Sequence, residues 1–411
     1  MVSMNYYIFD GILALLFLIF LAYFLVKNKK QVSLEKMLFP LFYAFLYRGQ
    51  FGIKTLEKFA NKFKEWIKIY GYVSIGVGFI GIILAFAMII YVAIRLVFVP
   101  TSKEVAPFLP FTSVPGLGYI SFLHWIIAIF IIVIVHEASH AIVAMAHGLK
   151  IKNTGFGLFA IFVPFLPAAF VEPDEKEVKK KSDVVQYSIF AAGPMSNFVL
   201  MIPIILMLIF AFPAIENKIS EPVGFSFDAI NDSNNYPALL VNLKEGQTFN
   251  TFNGLEYNNI SGPYNSMTCL SPNSTVTFGY YNSTLGNYSL FYKLKTTNHP
   301  DFSSKGFLGI NNLHTVYDVK SQYKLFEPIF SWLKGLFEIL FVVTFAIGLI
   351  NLFPAGMIDG GRMFMLALFN ITKDKKKTEK IASILAAFFW TVILFSFITY
   401  FFGNPFSLIF G

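Results

Sequence analysis

His136-Glu137-Ala138-Ser139-His140 places two imidazoles one helical turn apart inside residues 119–146, a run that is otherwise almost wholly apolar. An α-helix puts positions i and i+4 on one face, so His136 and His140 point the same way with Glu137 beside them. The spacing is that of a zinc-hydrolase helix, in which two neutral imidazoles hold the ion and the carboxylate takes a proton from the water that the ion polarises. Buried in an apolar helix without such a task, the three ionisable groups would carry a desolvation cost that nothing offsets. His147 falls on the same face, but beside Gly148 and Lys150, where the helix runs out. It reads as a helix-end histidine.

The solvent around this helix follows from composition. Of 411 residues, 56% are hydrophobic, 18% aromatic and only 14% charged. Six apolar runs are long enough, at ~20 residues, to span a bilayer, so the chain reads as a membrane protein. The single cysteine, Cys269, excludes an intramolecular disulfide framework and reads as a buried small residue or a bystander. The net charge of +8 lies in clusters between the apolar runs. That pattern marks membrane topology, and no nucleic-acid partner is expected.

In chain order, residues 6–26 form a first span with Lys27, Lys29 and Lys30 behind it, so it enters from an external N-terminus and is not a cleaved signal. Residues 31–70 interleave lysines with aromatics. Leu56, Phe59, Phe63, Trp66 and Ile67 repeat at helical spacing, which predicts an interfacial amphipathic helix on the cytoplasmic surface. A second span, 72–99, leads to an external breaker-rich loop with Pro100, Pro107, Pro110, Pro115, Gly116 and Gly118. The histidine helix is then the third span, running inward. At ~1.5 Å per residue His136 lies ~25 Å into a ~30 Å layer, in its cytoplasmic third.

Residues 154–171 stay apolar but are broken by Gly155, Gly157, Pro164 and Pro167, which predicts a re-entrant hairpin lining a cavity. After a charged loop a fourth span, 186–213, runs outward. It opens on Ala191-Ala192-Gly193-Pro194-Met195-Ser196-Asn197, small residues for close helix approach and one amide that needs a partner. Residues 215–323 are polar, rich in Asn and Ser, and read as an external β-rich domain with glycosylation-type sequons at Asn231, Asn259, Asn273, Asn282 and Asn287. Within it, 237–240, 243–249 and 252–254 follow the helix-turn-strand order of a PDZ domain, serving either peptide capture or as a steric lid.

The fifth span runs inward from residue 329 and ends in Asn351-Leu352-Phe353-Pro354-Ala355-Gly356-Met357-Ile358-Asp359-Gly360. Zinc needs a third protein ligand, and Asp359 arrives at the depth of His136 on a backbone broken by Pro354 and Gly356. A basic loop from Lys373 to Lys380 precedes a sixth span, 381–402.

H-E-x-x-H in one span with N-x-x-P-x-x-x-x-D-G in a later one resembles the site-2 protease family of intramembrane metalloproteases. The G-P-x-x-N of Gly193 to Asn197 and the PDZ-like insert resemble it too, over residues 100–362. The resemblance implies one Zn²⁺ held by His136, His140 and Asp359, Glu137 as the base, and Asn351 close to the bound substrate. It also implies peptide-bond hydrolysis in transmembrane segments of membrane-anchored signalling or regulatory proteins, usually after an upstream protease has trimmed them.

The expected fold is a polytopic α-helical membrane protein of about six transmembrane helices, with the re-entrant hairpin and a small extracytoplasmic PDZ-like domain. The expected segments are an N-terminal two-span part (1–99), a first core part (100–214), the inserted domain (215–323) and a second core part (324–411). The chain should sit in the cell membrane as a multi-pass protein, its partners the lipid bilayer and a transmembrane substrate, its active site towards the cytoplasm. Two other classes use the same residues. An ion or metal transporter would line its pathway with these His, Asp and Glu side chains, and an inactive scaffold would work through the PDZ-like part alone.

Overall fold

The computed structural model describes residues 4–38, 42–99, 108–114, 118–161, 163–230, 236–282, 287–300, 302–356 and 358–405. The chain forms two compact units, one of Met1–Ile209 with Leu333–Gly411 and one of Phe210–Trp332.

The larger unit begins with α1 (Met4–Lys27), strands β1 (Val32–Leu38) and β2 (Phe42–Gly49), α2 (Ile53–Lys62) and α3 (Lys64–Phe98). Two-residue strands β3 (Ser113–Val114) and β4 (Gly118–Tyr119) lead into α4 (Phe122–Ala146). Next come the hairpin β5 (Ile151–Ile161) and β6 (Val163–Pro173), then α5 (Glu175–Lys180) and α6 (Asp183–Leu206). Helix α6 runs through a π-turn, Met207–Ala211, into α7 (Phe212–Ile219).

The smaller unit adds β7 (Ser220–Ile230), α8 (Pro237–Leu240), β8 (Thr251–Phe252), β9 (Leu255–Glu256), α9 (Ser261–Thr268), β10 (Thr275–Asn282), β11 (Asn287–Lys295), β12 (Thr297–Asn298), β13 (Gly306–Phe307) and β14 (Ile310–Val319). The chain closes with α10 (Glu327–Ile350), α11 (Asp359–Thr372) and α12 (Lys375–Phe402). Among the described residues six helices are long and apolar enough to cross a membrane, as the hydropathy pattern predicts.

Segment 31–70 departs from the sequence expectation. Residues 32–38 and 42–49 are strands, and the predicted helix from Leu56 to Ile67 is broken at Phe63 (φ −113°, ψ 27°), so Trp66 and Ile67 belong to α3. In β2 the aromatics Tyr43, Phe45 and Tyr47 alternate with Ala44, Leu46 and Arg48, the period of a strand. The partner that makes this strand worthwhile comes a hundred residues later. The hairpin expected at 154–171 is a long antiparallel pair, and together the four strands form one antiparallel sheet in the order β1-β2-β5-β6.

Helix α3 presents a buried stripe, Gly71, Ser74, Gly78, Gly81, Ala85, Ile89, Val92 and Leu96. A Cβ on Gly81 would stand 2.2 Å from Leu352 Cδ1, and one on Gly78 2.8 Å from Met363 Cε. Glycines therefore let α3 lie directly on the turn before Asp359 and on α11. Helix α3, within the expected N-terminal part (1–99), thus packs on the expected second core part (324–411). Helix α1 is attached differently. Its buried Asp10 accepts from the Tyr119 hydroxyl (2.9 Å) and from the backbone N–H of Phe122 (2.7 Å) and Leu123 (3.4 Å), so an acid of one helix caps the N-terminus of another.

The smaller unit packs Phe225, Phe227, Phe249, Phe252, Phe278, Val276 and Leu294 between a four-stranded sheet, β11-β10-β8-β9, and the β14–β7 pair. Asn253 and Gly254 (φ 50° and 79°) make the tight turn from β8 to β9. Cys269 is exposed, which rules out the buried small residue and leaves the bystander of the two readings. The expected loop prolines Pro100, Pro107 and Pro115, with Gly116 and the sequon residue Asn231, lie outside the described residues.

Candidate metal and catalytic site

Helix α4 brings His136 and His140 to one face, and the start of α11 brings Asp359 against them. The His136 Nε2 and Asp359 Oδ2 atoms are 3.0 Å apart, His140 Nε2 and Asp359 Oδ2 3.3 Å, and the two Nε2 atoms 3.2 Å. Three ligand atoms bound tetrahedrally at the usual zinc distances are ~3.3 Å from one another, so this group can hold a metal ion.

The other ring nitrogens bear on the fit. His140 Nδ1–H donates to the Ile189 carbonyl at 2.6 Å, which leaves the Nε2 lone pair free for a ligand. The Asn197 amide nitrogen lies 3.2 Å from His136 Nδ1, and its buried Oδ1 has no partner among the described residues. Turning the amide over lets Oδ1 accept from Nδ1–H. Both needs are then met at once, because His136 also gains a free Nε2 lone pair. This is the partner that the amide in the small-residue run requires.

Asp359 is the first residue of α11 rather than a continuation of α10, a helix that the sequence reading did not predict. The turn before it is tight. Gly360 N–H donates to the Asn351 carbonyl (2.7 Å), and a Cβ on Gly360 would stand 2.3 Å from the Leu352 backbone. The carboxylate sits at a helix N-terminus, where a negative charge is favoured. Asn351 is thus tied by its backbone to the helix of Asp359, while its half-buried side chain is not part of the three-ligand group.

Glu137 faces the sheet. Its Oε2 accepts from the backbone N–H of Val171 at 3.1 Å, and Val171 belongs to β6, one of the two outer strands of the sheet. His147 is the C-cap of α4, with Nε2 3.3 Å from Ser188 Oγ and its ring beside Tyr72. Burial first, then Lys68 and Lys181, hold it below the ordinary histidine range.

Two features escaped the sequence reading. Tyr70 of α3 donates to the Ala192 carbonyl (3.0 Å) and lies 3.1 Å from Ser139 Oγ, which donates to the same carbonyl at 2.8 Å. One bonded knot therefore joins α3, α4 and α6 one residue away from His140. Gly193 is the second. A Cβ there would stand 2.3 Å from His140 Nε2 and 2.5 Å from His136 Nε2. Its place in a small-residue run was visible, but only the fold shows which atoms it makes room for.

The sequence model of Peptidase family M50 matches residues 124–395. A stretch of 170 residues is 35% identical to an uncharacterized protein of Methanocaldococcus jannaschii, covering 41% of this chain and 43% of that protein. The chain thus matches less than half the length of this relative. With the family match running from the start of the histidine helix into the last one, the chain belongs to peptidase family M50, the site-2 protease family of membrane metallopeptidases.

Proposed function

We propose that the protein is a zinc endopeptidase that cuts peptide bonds within transmembrane segments of membrane-anchored regulatory proteins already shortened by another protease. The observation that carries this reading is the convergence of His136 Nε2, His140 Nε2 and Asp359 Oδ2 within 3.0–3.3 Å of each other, with Glu137 alongside. The three side chains would hold one zinc, which when bound would supply an acidified water and a Lewis acid for the scissile carbonyl. Glu137, alongside, would act as the general base and carry a proton to the leaving amine.

A helical substrate hides its peptide bonds, so it has to unwind, and its freed N–H and C=O groups then need partners. The edge of β6 that no strand pairs with among the described residues would offer them by strand addition, next to the base. In this reading the hairpin re-enters the membrane, the smaller unit is a PDZ-like extracytoplasmic domain, and the metal site lies towards the cytoplasm.

The test uses the full chain in lipid nanodiscs, with its zinc content and its cleavage of a membrane-embedded peptide both measured. One zinc per chain and a cut inside the transmembrane stretch are expected. A metal-free chain that leaves the peptide intact, or one that conducts an ion into liposomes instead, overturns the reading.

Asn351 is assigned to the substrate, as a donor to the carbonyl oxygen while charge develops on it. A donor of this kind is worth ~2.7–4 kcal/mol. Asn351→Ala should therefore keep its zinc and its melting temperature while cleavage falls ~100-fold. Parallel loss of zinc or fold would make Asn351 a structural residue of the turn before Asp359.

A further inference from the structure

Arg48 lies on β2, well before the stretch that the family match covers. It pairs in register with Gly155 of β5, and Gly155 pairs with Phe170 of β6. Gly155 is where a side chain would stand between Arg48 and β6. A Cβ there would come within 2.1 Å of the Tyr47 carbonyl oxygen and 2.5 Å of Phe170 Cζ. With that space clear, the guanidinium reaches across a whole strand. Its Nε donates to Glu172 Oε1 at 2.9 Å, and its carbon lies 5.9 Å from the centre of the Phe170 ring.

The rest of the fork points the other way. Arg48 Nη2 donates to Glu35 Oε1 of β1 at 3.2 Å and Nη1 to Ser33 Oγ, also of β1. The second oxygen of Glu172 accepts from Asn153 Nδ2 at 2.8 Å. One cation thus joins β1, β2 and β6, and both oxygens of Glu172 are engaged. Glu172 directly follows Val171, the residue whose N–H meets Glu137.

We infer that Arg48 is a positioning residue: through Glu172 it braces the edge strand β6, keeping Val171 on Glu137 and the free edge straight for an incoming backbone. This rests on the proteolytic reading for its consequence but not for its geometry. Among the described residues strand β6 is hydrogen-bonded to a neighbouring strand on one side only, so its order depends more on such ties than that of an inner strand. A half-exposed ion pair adds little to global stability, and the effect therefore belongs to the local opening of β6 rather than to the fold. Lysine could not replace it, since a compact ammonium cannot fork to two strands at once.

The experiment compares the wild-type chain in nanodiscs with R48Q, E172Q and the double variant, reading hydrogen exchange over residues 168–172, zinc content and cleavage of a transmembrane peptide. Exchange in that segment should quicken about fivefold in either single variant, with the double variant no worse than either, because the two residues act as one unit. Zinc content and exchange in α4 should not move. Cleavage should fall about tenfold, through a raised KM for a backbone that adds to β6 or a lowered kcat for a displaced Glu137.

Unchanged exchange over 168–172 in both R48Q and E172Q overturns the brace, whether or not the wild-type chain cleaves anything. Faster exchange with undiminished cleavage overturns its catalytic consequence. A wild-type chain that cleaves nothing, while the variants still free β6, supports the brace and overturns the proteolytic reading instead.

Discussion

Gly193→Ala empties the metal site while leaving the six helices in place. The methyl group would stand 2.3 Å and 2.5 Å from the two Nε2 atoms and 2.7 Å from His136 Cε1, distances at which something has to move. Neither ring has freedom to yield. His140 is held by the Ile189 carbonyl and His136 by Asn197, both on α6 itself, so turning a ring away breaks the bond that orients it. Separating α4 from α6 would relieve the clash, but the Tyr70–Ser139–Ala192 knot holds those helices together.

Displacing either imidazole removes one of three ligands. Zinc affinity should drop ~100-fold or more, beyond what the loss of an orienting hydrogen bond usually costs. Zinc content after dialysis against a graded chelator measures it, with the helix signal in circular dichroism as the control for folding. Wild-type zinc retention in Gly193→Ala would show that the imidazoles do not hold the metal from this face.

Glu137→Gln should behave in the opposite way, with full zinc and no useful chemistry. The amide keeps the shape of the carboxylate, and its oxygen can still accept from Val171 N–H, so α4 and β6 stay in register. What is lost is a group able to take a proton. General-base removal costs 10²–10⁴-fold in rate. Zinc analysis and single-turnover cleavage on the same preparation check it, and cleavage at the wild-type rate would remove Glu137 from the role of base.

The parts legible in the sequence were those written by local rules. Hydropathy located all six long helices, and i/i+4 spacing put His136 and His140 on one face before any fold was known. The β-rich character of the inserted region was also legible, because composition changes abruptly there. What escaped depends on partners distant in sequence. Strands β1 and β2 look like a lysine- and aromatic-rich surface segment until β5 supplies their ladder. Helix α11 follows a proline- and glycine-broken turn, and only the Gly360–Asn351 hydrogen bond and the close backbone approach beneath Gly360 make a helix start there. The function of Gly193 is a distance between two helices, which no single stretch contains.

Asp10 gives the molecule an order of assembly. Its donors, the Tyr119 hydroxyl and the Phe122 and Leu123 amides, belong to residues made 109 to 113 positions later. At ~5–20 residues per second the ribosome needs roughly 6–20 s to reach them. Through that interval α1 carries its carboxylate without any of these three partners, in a segment whose other described members are almost all apolar. Helix α1 is therefore completed only when the start of α4 has been made. A pause or a truncation before residue 119 leaves a span that has every reason to enter the bilayer but lacks these three donors to its acid.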